Sequence, residues 1–164
     1  MERERLNSLS NLKESVQVTT GSREETIKLG KLIGSIVPEG TVVSLEGSLG
    51  SGKTVFAKGF CLGLGVEEDV LSPSFILIEE YRGVFPVYHF DLYRLEDIHE
   101  VEEIGLLDYV DGRSVVIIEW GDRLPEGYVE KDIIVEISVA GEFERNIRIT
   151  APKGIIEVVD GFKE

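Results

Sequence analysis

The sequence predicts an α/β domain of three layers, with a central mixed, mainly parallel sheet and a C-terminal antiparallel hairpin. Three observations carry that expectation. A short apolar strand, TVVSLE, runs into the glycine-rich stretch GSLGSGKT and on into a helical pattern. A later segment, SVVIIEW, is apolar on both faces until its last two residues, as a strand covered by helices on both sides must be. Near the end, KDIIVEISV and EFERNIRIT flank Ala140-Gly141 as the two arms of a hairpin.

Taken in order, residues 1–14 are expected to form an arm and residues 15–164 a single domain, since the opening stretch shows no periodicity. SVQVTT alternates weakly, as a first strand would. In GSREETIKLGKLIGSIV, Ser22 is placed to cap a helix, Glu24 and Glu25 suit its first turn, and Ile27, Leu32, Ile33 and Ile36 recur at helical spacing. Pro38 and Gly40 stop it. After the glycine-rich stretch, KTVFAKGFCLGLG reads as a helix ending at Gly65. SFILIEEY and VFPVYHFDLY are β-rich runs joined by Arg82-Gly83. LEDIHEVEEIGLLDYV reads as helical with a solvated acidic face, and GIIEVV as a last short strand.

Composition removes several classes of function. The 164 residues, 42% hydrophobic, suffice for one core. No apolar run approaches the roughly 20 residues that a bilayer needs, and MERERLNSLSNLKESVQV lacks the apolar stretch of a secretory signal, so a cytoplasmic, membrane-free protein is expected. Cys61 is the lone cysteine, which rules out an internal disulfide and reads as a small buried helix residue. With two histidines, His89 and His99, zinc is disfavoured, and any metal should be a hard ion held by oxygen. The formal net charge of −14 repels phosphate backbones. That balance favours a protein partner, or a small ligand that brings its own cation, over extensive direct nucleic-acid contact.

Gly47, Gly50, Gly52, Lys53 and Thr54 fit the phosphate-binding pattern G-x-x-x-x-G-K-[ST]. Main-chain N–H groups must turn inward around a phosphate, which side chains would obstruct. The following helix points its unpaired N–H groups at the same anion. A chance glycine turn is the competing reading, but a strand before the pattern and a helix after it are what the chemistry requires. The ATP-binding segment is therefore Gly47, Ser48, Leu49, Gly50, Ser51, Gly52, Lys53, Thr54 and Val55 of a P-loop NTPase-like domain. Lys53 is placed to reach the β- and γ-phosphates, and the Thr54 hydroxyl to coordinate Mg2+.

Glu119 ends SVVIIE at the sheet edge where ligands collect in open α/β sheets, as a magnesium or water-orienting acid or as an ordinary strand-end glutamate. Asp91, in HFDLYRL, is either a helix cap, the slightly favoured reading, or a catalytic group. His89 reads as a structural histidine, Arg94 as half of a surface ion pair and Trp120 as packing. SPSF, residues 72–75, is a proline turn, or a switch loop whose hydroxyls, Ser74 among them, meet the magnesium.

GSLGSGKT, SPSF, HFDLYRL and IEW, in this order and at these separations, make a chain that resembles the TsaE (YjeE) family of small bacterial ATPases from about Gly21 to Arg148. The resemblance implies an ATPase needed for threonylcarbamoyladenosine at the tRNA adenosine next to the anticodon. It implies association with a TsaB–TsaD complex that ATP binding and hydrolysis reset between turnovers, and weak turnover without those partners. Its cofactors are ATP and Mg2+. Position by position, it makes Thr54 and Glu119 magnesium ligands, Lys53 the phosphate lysine, Asp91 an acid required for hydrolysis and residues 72–75 a switch. Thr26 and Arg145 fall near the nucleotide. The family usually reads GDLGAGKT and SPTF, so Ser48, Ser51 and Ser74 are departures.

The alternative is a small-molecule P-loop kinase. Such a kinase needs an arginine-bearing lid, and only Arg82, Arg94 and Arg113 lie between the loop and Glu119. A GTP switch needs an N-K-x-D reader, which the chain lacks. A nucleotide-dependent scaffold with negligible turnover is the remaining reading.

Overall fold

The computed structural model describes residues 12–71, 73 and 77–162. In chain order its elements are β1 (Lys13–Thr20), α1 (Arg23–Gly34), β2 (Val42–Glu46), α2 (Lys53–Gly63), β3 (Ile78–Arg82), β4 (Pro86–Asp91), α3 (Ile98–Ile104), α4 (Leu106–Tyr109), β5 (Val115–Glu119), β6 (Ile133–Val139), β7 (Arg145–Pro152) and α5 (Lys153–Phe162). The strands form one sheet in the order β1-β7-β6-β2-β5-β4-β3. Its centre, β6-β2-β5-β4, is parallel throughout, while β1-β7, β7-β6 and β4-β3 pair antiparallel.

Alternation in β5 sets the layers. Val115 and Ile117 join one buried cluster with Leu29 and Ile33 of α1, Phe56 and Phe60 of α2 and Ile156 of α5. Val116 and Ile118 point the other way, to Phe90, Val101 of α3 and Leu106 of α4. A strand apolar on both faces is thus sandwiched, as expected.

The glycines of α1 and α2 have a packing cause. A Cβ on Gly34 would lie 2.1 Å from the carbonyl oxygen of Phe60, and one on Gly59 the same 2.1 Å from that of Ile27. The two helix backbones therefore approach closely enough that only hydrogen fits between them. This contact fixes α2, and with it the end of the glycine loop.

Several boundaries differ from expectation. Lys13 and Glu14, expected in the arm, belong to β1 and pair with Pro152 and Ala151. The Ser22 hydroxyl caps α1 as expected, accepting from the Glu25 N–H at 3.1 Å, but the helix ends at Gly34, ahead of its expected stops. Gly105, at φ 75°, divides the acidic helical stretch into α3 and α4. GIIEVV is not a strand; it lies within α5. Its β-branched residues favour a strand locally, but Ile155, Ile156 and Val159 form an apolar stripe at helical spacing and are buried against the core. Among the described residues no helix is long and apolar enough to cross a membrane.

Candidate active site

The site grows from the carboxyl ends of β2, β4 and β5. Leaving β2, the chain takes left-handed or nearby positive φ at Gly47 (149°), Gly50 (77°) and Gly52 (113°). A side chain on Gly47 would collide with the carbonyl oxygen of Ile137 at 2.3 Å, whereas one on Gly50 or Gly52 would meet nothing within 4 Å. Gly52 is the N-cap of α2 and offers no side-chain cap, so the first N–H groups of that helix face outward unclaimed by a capping side chain.

Lys53, only 5% exposed, curls back over this loop. Its Nζ donates to the carbonyl oxygens of Gly47 and Ser48, both at 2.8 Å, and lies 4.0 Å from the centre of the Trp120 ring. Burial lowers the Lys53 pKa from the ordinary lysine value, and the carboxylates of Glu119, Asp91 and Asp122 oppose that shift.

Parallel pairing of β4 and β5 puts Asp91 directly beside Glu119, and both carboxylates are buried. Glu119 is held at both oxygens: Oε1 accepts from the Thr54 hydroxyl at 2.8 Å, and Oε2 lies 2.6 Å from His89 Nε2. Asp91 Oδ1 accepts from the Tyr93 N–H at 2.9 Å. The cap reading of Asp91 is therefore corrected. It ends a strand and tightens the turn that follows, while the cap of α3 is Asp97, which forms a capping box with Glu100. Lys53, Thr54, Asp91 and Glu119 line one cavity of about 260 Å3 with Tyr93 and Trp120. A larger cavity, about 530 Å3, lies between Pro38–Thr41 and Lys153–Val158 at the amino ends of β2 and β6, away from the glycine loop.

Thr26, Phe143 and Arg145 line a third hollow, of about 220 Å3, which shares Gly52 and Val55 with the cavity of Lys53 and Glu119. The Thr26 hydroxyl is 2.7 Å from that of Thr20. Arg145 Nε donates to the Ser51 carbonyl oxygen at 2.8 Å, bracing the glycine loop from β7. Ser48 and Leu49 form the exposed outer part of the loop, while Ser51 is fully buried and its hydroxyl has no hydrogen-bond partner among the described residues. Ser74 and the rest of residues 72–75, apart from Pro73, lie outside the described residues.

Two side chains carry more than their sequence reading suggested. Trp120 packs against the core as expected, yet at φ 62° it also covers the Lys53 ammonium. His89 is not a bystander in the core; it holds Glu119. The signal was its position two residues before Asp91 in a strand, which puts both on one face.

The donor set suits a hard ion that arrives with its own oxygens. Thr54 and Glu119 offer oxygen only, and no group of three or more His, Cys, Asp or Glu side chains among the described residues forms a self-sufficient metal site.

The family model described as "Threonylcarbamoyl adenosine biosynthesis protein TsaE" matches residues 20–147. The chain belongs to the TsaE family. It is similar to the tRNA threonylcarbamoyladenosine biosynthesis protein TsaE of Bacillus subtilis, at 44% identity over 80% of this chain and 83% of that one. The protein of the same name from Treponema pallidum is 38% identical over 78% of this chain and 95% of that one. A crystal structure of Bacillus subtilis YdiB superposes with a TM-score of 0.73 at 34% identity, covering 93% of this chain and 99% of that one. As a TsaE-family member, the chain carries the P-loop fold, with its loop between β2 and α2.

Proposed function

We propose that this chain binds and hydrolyses ATP with Mg2+ and thereby supports a TsaB–TsaD complex in threonylcarbamoyladenosine modification of tRNA. One observation carries the reading. Three stretches far apart in sequence, carrying Lys53 with Thr54, Asp91 and Glu119, meet around a single glycine loop at the head of α2.

Each group has a part that its surroundings suit. The loop N–H groups and the start of α2 hold the phosphates. Lys53, tied to two loop carbonyls, keeps a positive charge inside the cradle where the triphosphate tail is most negative. Thr54 and Glu119, already 2.8 Å apart, would hold magnesium, which when bound offsets phosphate charge. Asp91, beside Glu119 and fixed by the Tyr93 N–H, is placed to orient water or accept its proton. The hollow between Thr26, Phe143 and Arg145 would take the base. At −14 overall, the chain acts on tRNA through its partners and not by gripping the RNA itself.

The test is co-purification with a TsaB–TsaD pair, with and without ATP and Mg2+, alongside phosphate release in the presence of small acceptors. Nucleotide-dependent association with release of inorganic phosphate is expected. A phosphorylated small acceptor would instead establish the kinase alternative.

A further inference from the structure

His89 is completely buried, and only one end of its ring is satisfied. Nε2 lies 2.6 Å from Glu119 Oε2, while Nδ1 is buried without a hydrogen-bond partner among the described residues. A carboxylate oxygen accepts, so Nε2 carries the hydrogen of this contact and Nδ1 is left unpaired among the described residues. Leaving a buried polar atom unpaired costs about 1–3 kcal/mol, a penalty that an apolar side chain of similar size would avoid. Core packing therefore does not account for a histidine here. The contact with Glu119 does.

The geometry of that carboxylate shows what the contact achieves. One Glu119 oxygen is engaged by His89 and the other by the Thr54 hydroxyl, so the side chain is held from both sides. We propose that His89 is a positioning residue for the divalent cation: its Nε2–H fixes Glu119 so that Oε1 and the Thr54 hydroxyl stand together as the protein's oxygen pair for that ion. The inference rests on the assignment of Thr54 and Glu119 as magnesium ligands. Without His89, Glu119 would have to be ordered at the moment the ion binds, and a preorganised ligand avoids that entropy. His89 itself does not line the cavity and acts through Glu119.

The test compares H89Q with H89N in the full-length chain. A glutamine amide stands where Nε2 stands and can still reach Glu119, whereas an asparagine amide takes the place of Nδ1 and falls short. Calorimetry measures affinity for a non-hydrolysable ATP analogue, first in EDTA and then across a Mg2+ titration. Wild type and H89Q should tighten alike as Mg2+ rises. H89N should need about 10- to 100-fold more Mg2+ for the same gain, with its affinity in EDTA unchanged. Should H89N fail to fold, H89F keeps the ring volume, removes the donor and carries the same expectation.

An unaltered Mg2+ requirement in the donor-less variant overturns the proposal, and so does an equal loss of affinity in EDTA, which would mark His89 as a support for the cradle alone. No Mg2+-dependent tightening in the wild type would defeat the assignment of Thr54 and Glu119, and the role of His89 with it. A failure confined to the variants leaves that assignment standing.

Discussion

Replacing Gly59 with alanine sets two effects of opposite sign against each other. In a helix interior alanine is favoured over glycine by about 1 kcal/mol, so propensity alone makes G59A stabilising. The new methyl, however, would stand 2.1 Å from the Ile27 carbonyl oxygen, 2.8 Å from its carbon and 2.9 Å from its Cα, where ordinary contact begins near 3.4 Å. All three atoms are backbone, so no rotamer change relieves them. Helices α1 and α2 must part by about 1 Å in an interior packed at crystal-like density. Overpacking costs about 1–3 kcal/mol, and a rigid neighbour puts this case at the upper end. The net loss is about 2 kcal/mol, a fall in Tm of about 4–8 °C at this chain length.

G154A is the internal control, because a Cβ on Gly154 in α5 meets nothing within 4 Å. There propensity acts alone, and a gain of up to about 1 kcal/mol is expected. Thermal melts and urea titrations of both variants, followed by circular dichroism, read the two signs directly. A Tm for G59A at or above that of the wild type would refute the close-packed account of the α1–α2 contact.

Three further expectations follow from the same structure. If Asp91 acts on water as proposed, D91N should keep ATP affinity and slow phosphate release by about 100-fold or more; equal losses of binding and turnover count against that division. Burial pushes the Cys61 thiol up to about 12, so a thiol reagent should leave the folded chain untouched and label it only at the rate of unfolding; rapid labelling of the native protein would contradict its burial. Burial likewise raises the Asp132 pKa above its ordinary 3.8, against the Val42 N–H that it accepts at 2.8 Å. The ionised form is then the disfavoured one in the fold, so its cost is absent below 3.8 and appears as pH rises through the folded-state value. D132N, which keeps an acceptor, should therefore raise Tm more at neutral than at acidic pH, and an equal shift at both would contradict this.

What was legible in the chain and what was not divides along physical lines. The glycine loop and its Lys53-Thr54 end are local, because positive φ and an exposed helix start depend on neighbours in sequence. Glu119 was legible for a related reason, since an apolar run ending in an acid marks the edge of a buried strand. The contacts of His89 and Arg145 were less so. One needs the pairing of β4 with β5, and the other reaches Ser51 from β7. The two-residue spacing of His89 and Asp91 puts them on one face but does not say which strand they meet, and Arg145 leaves no such trace. In α5, tertiary burial of Ile155, Ile156 and Val159 overrides the strand preference of β-branched residues. The glycines at 30, 34, 59 and 63 weaken a helical reading when each helix is considered alone, and make sense only once two helix backbones are in contact.

Whether the amide cradle between β2 and α2 and the Lys53 ammonium receive the ATP triphosphate is decided by calorimetry of wild type and K53A with ATP and Mg2+. Saturable heat is expected for the wild type, with its loss in a K53A variant that melts like the wild type. A wild type that gives no heat, or a folded K53A that binds equally well, would contradict it.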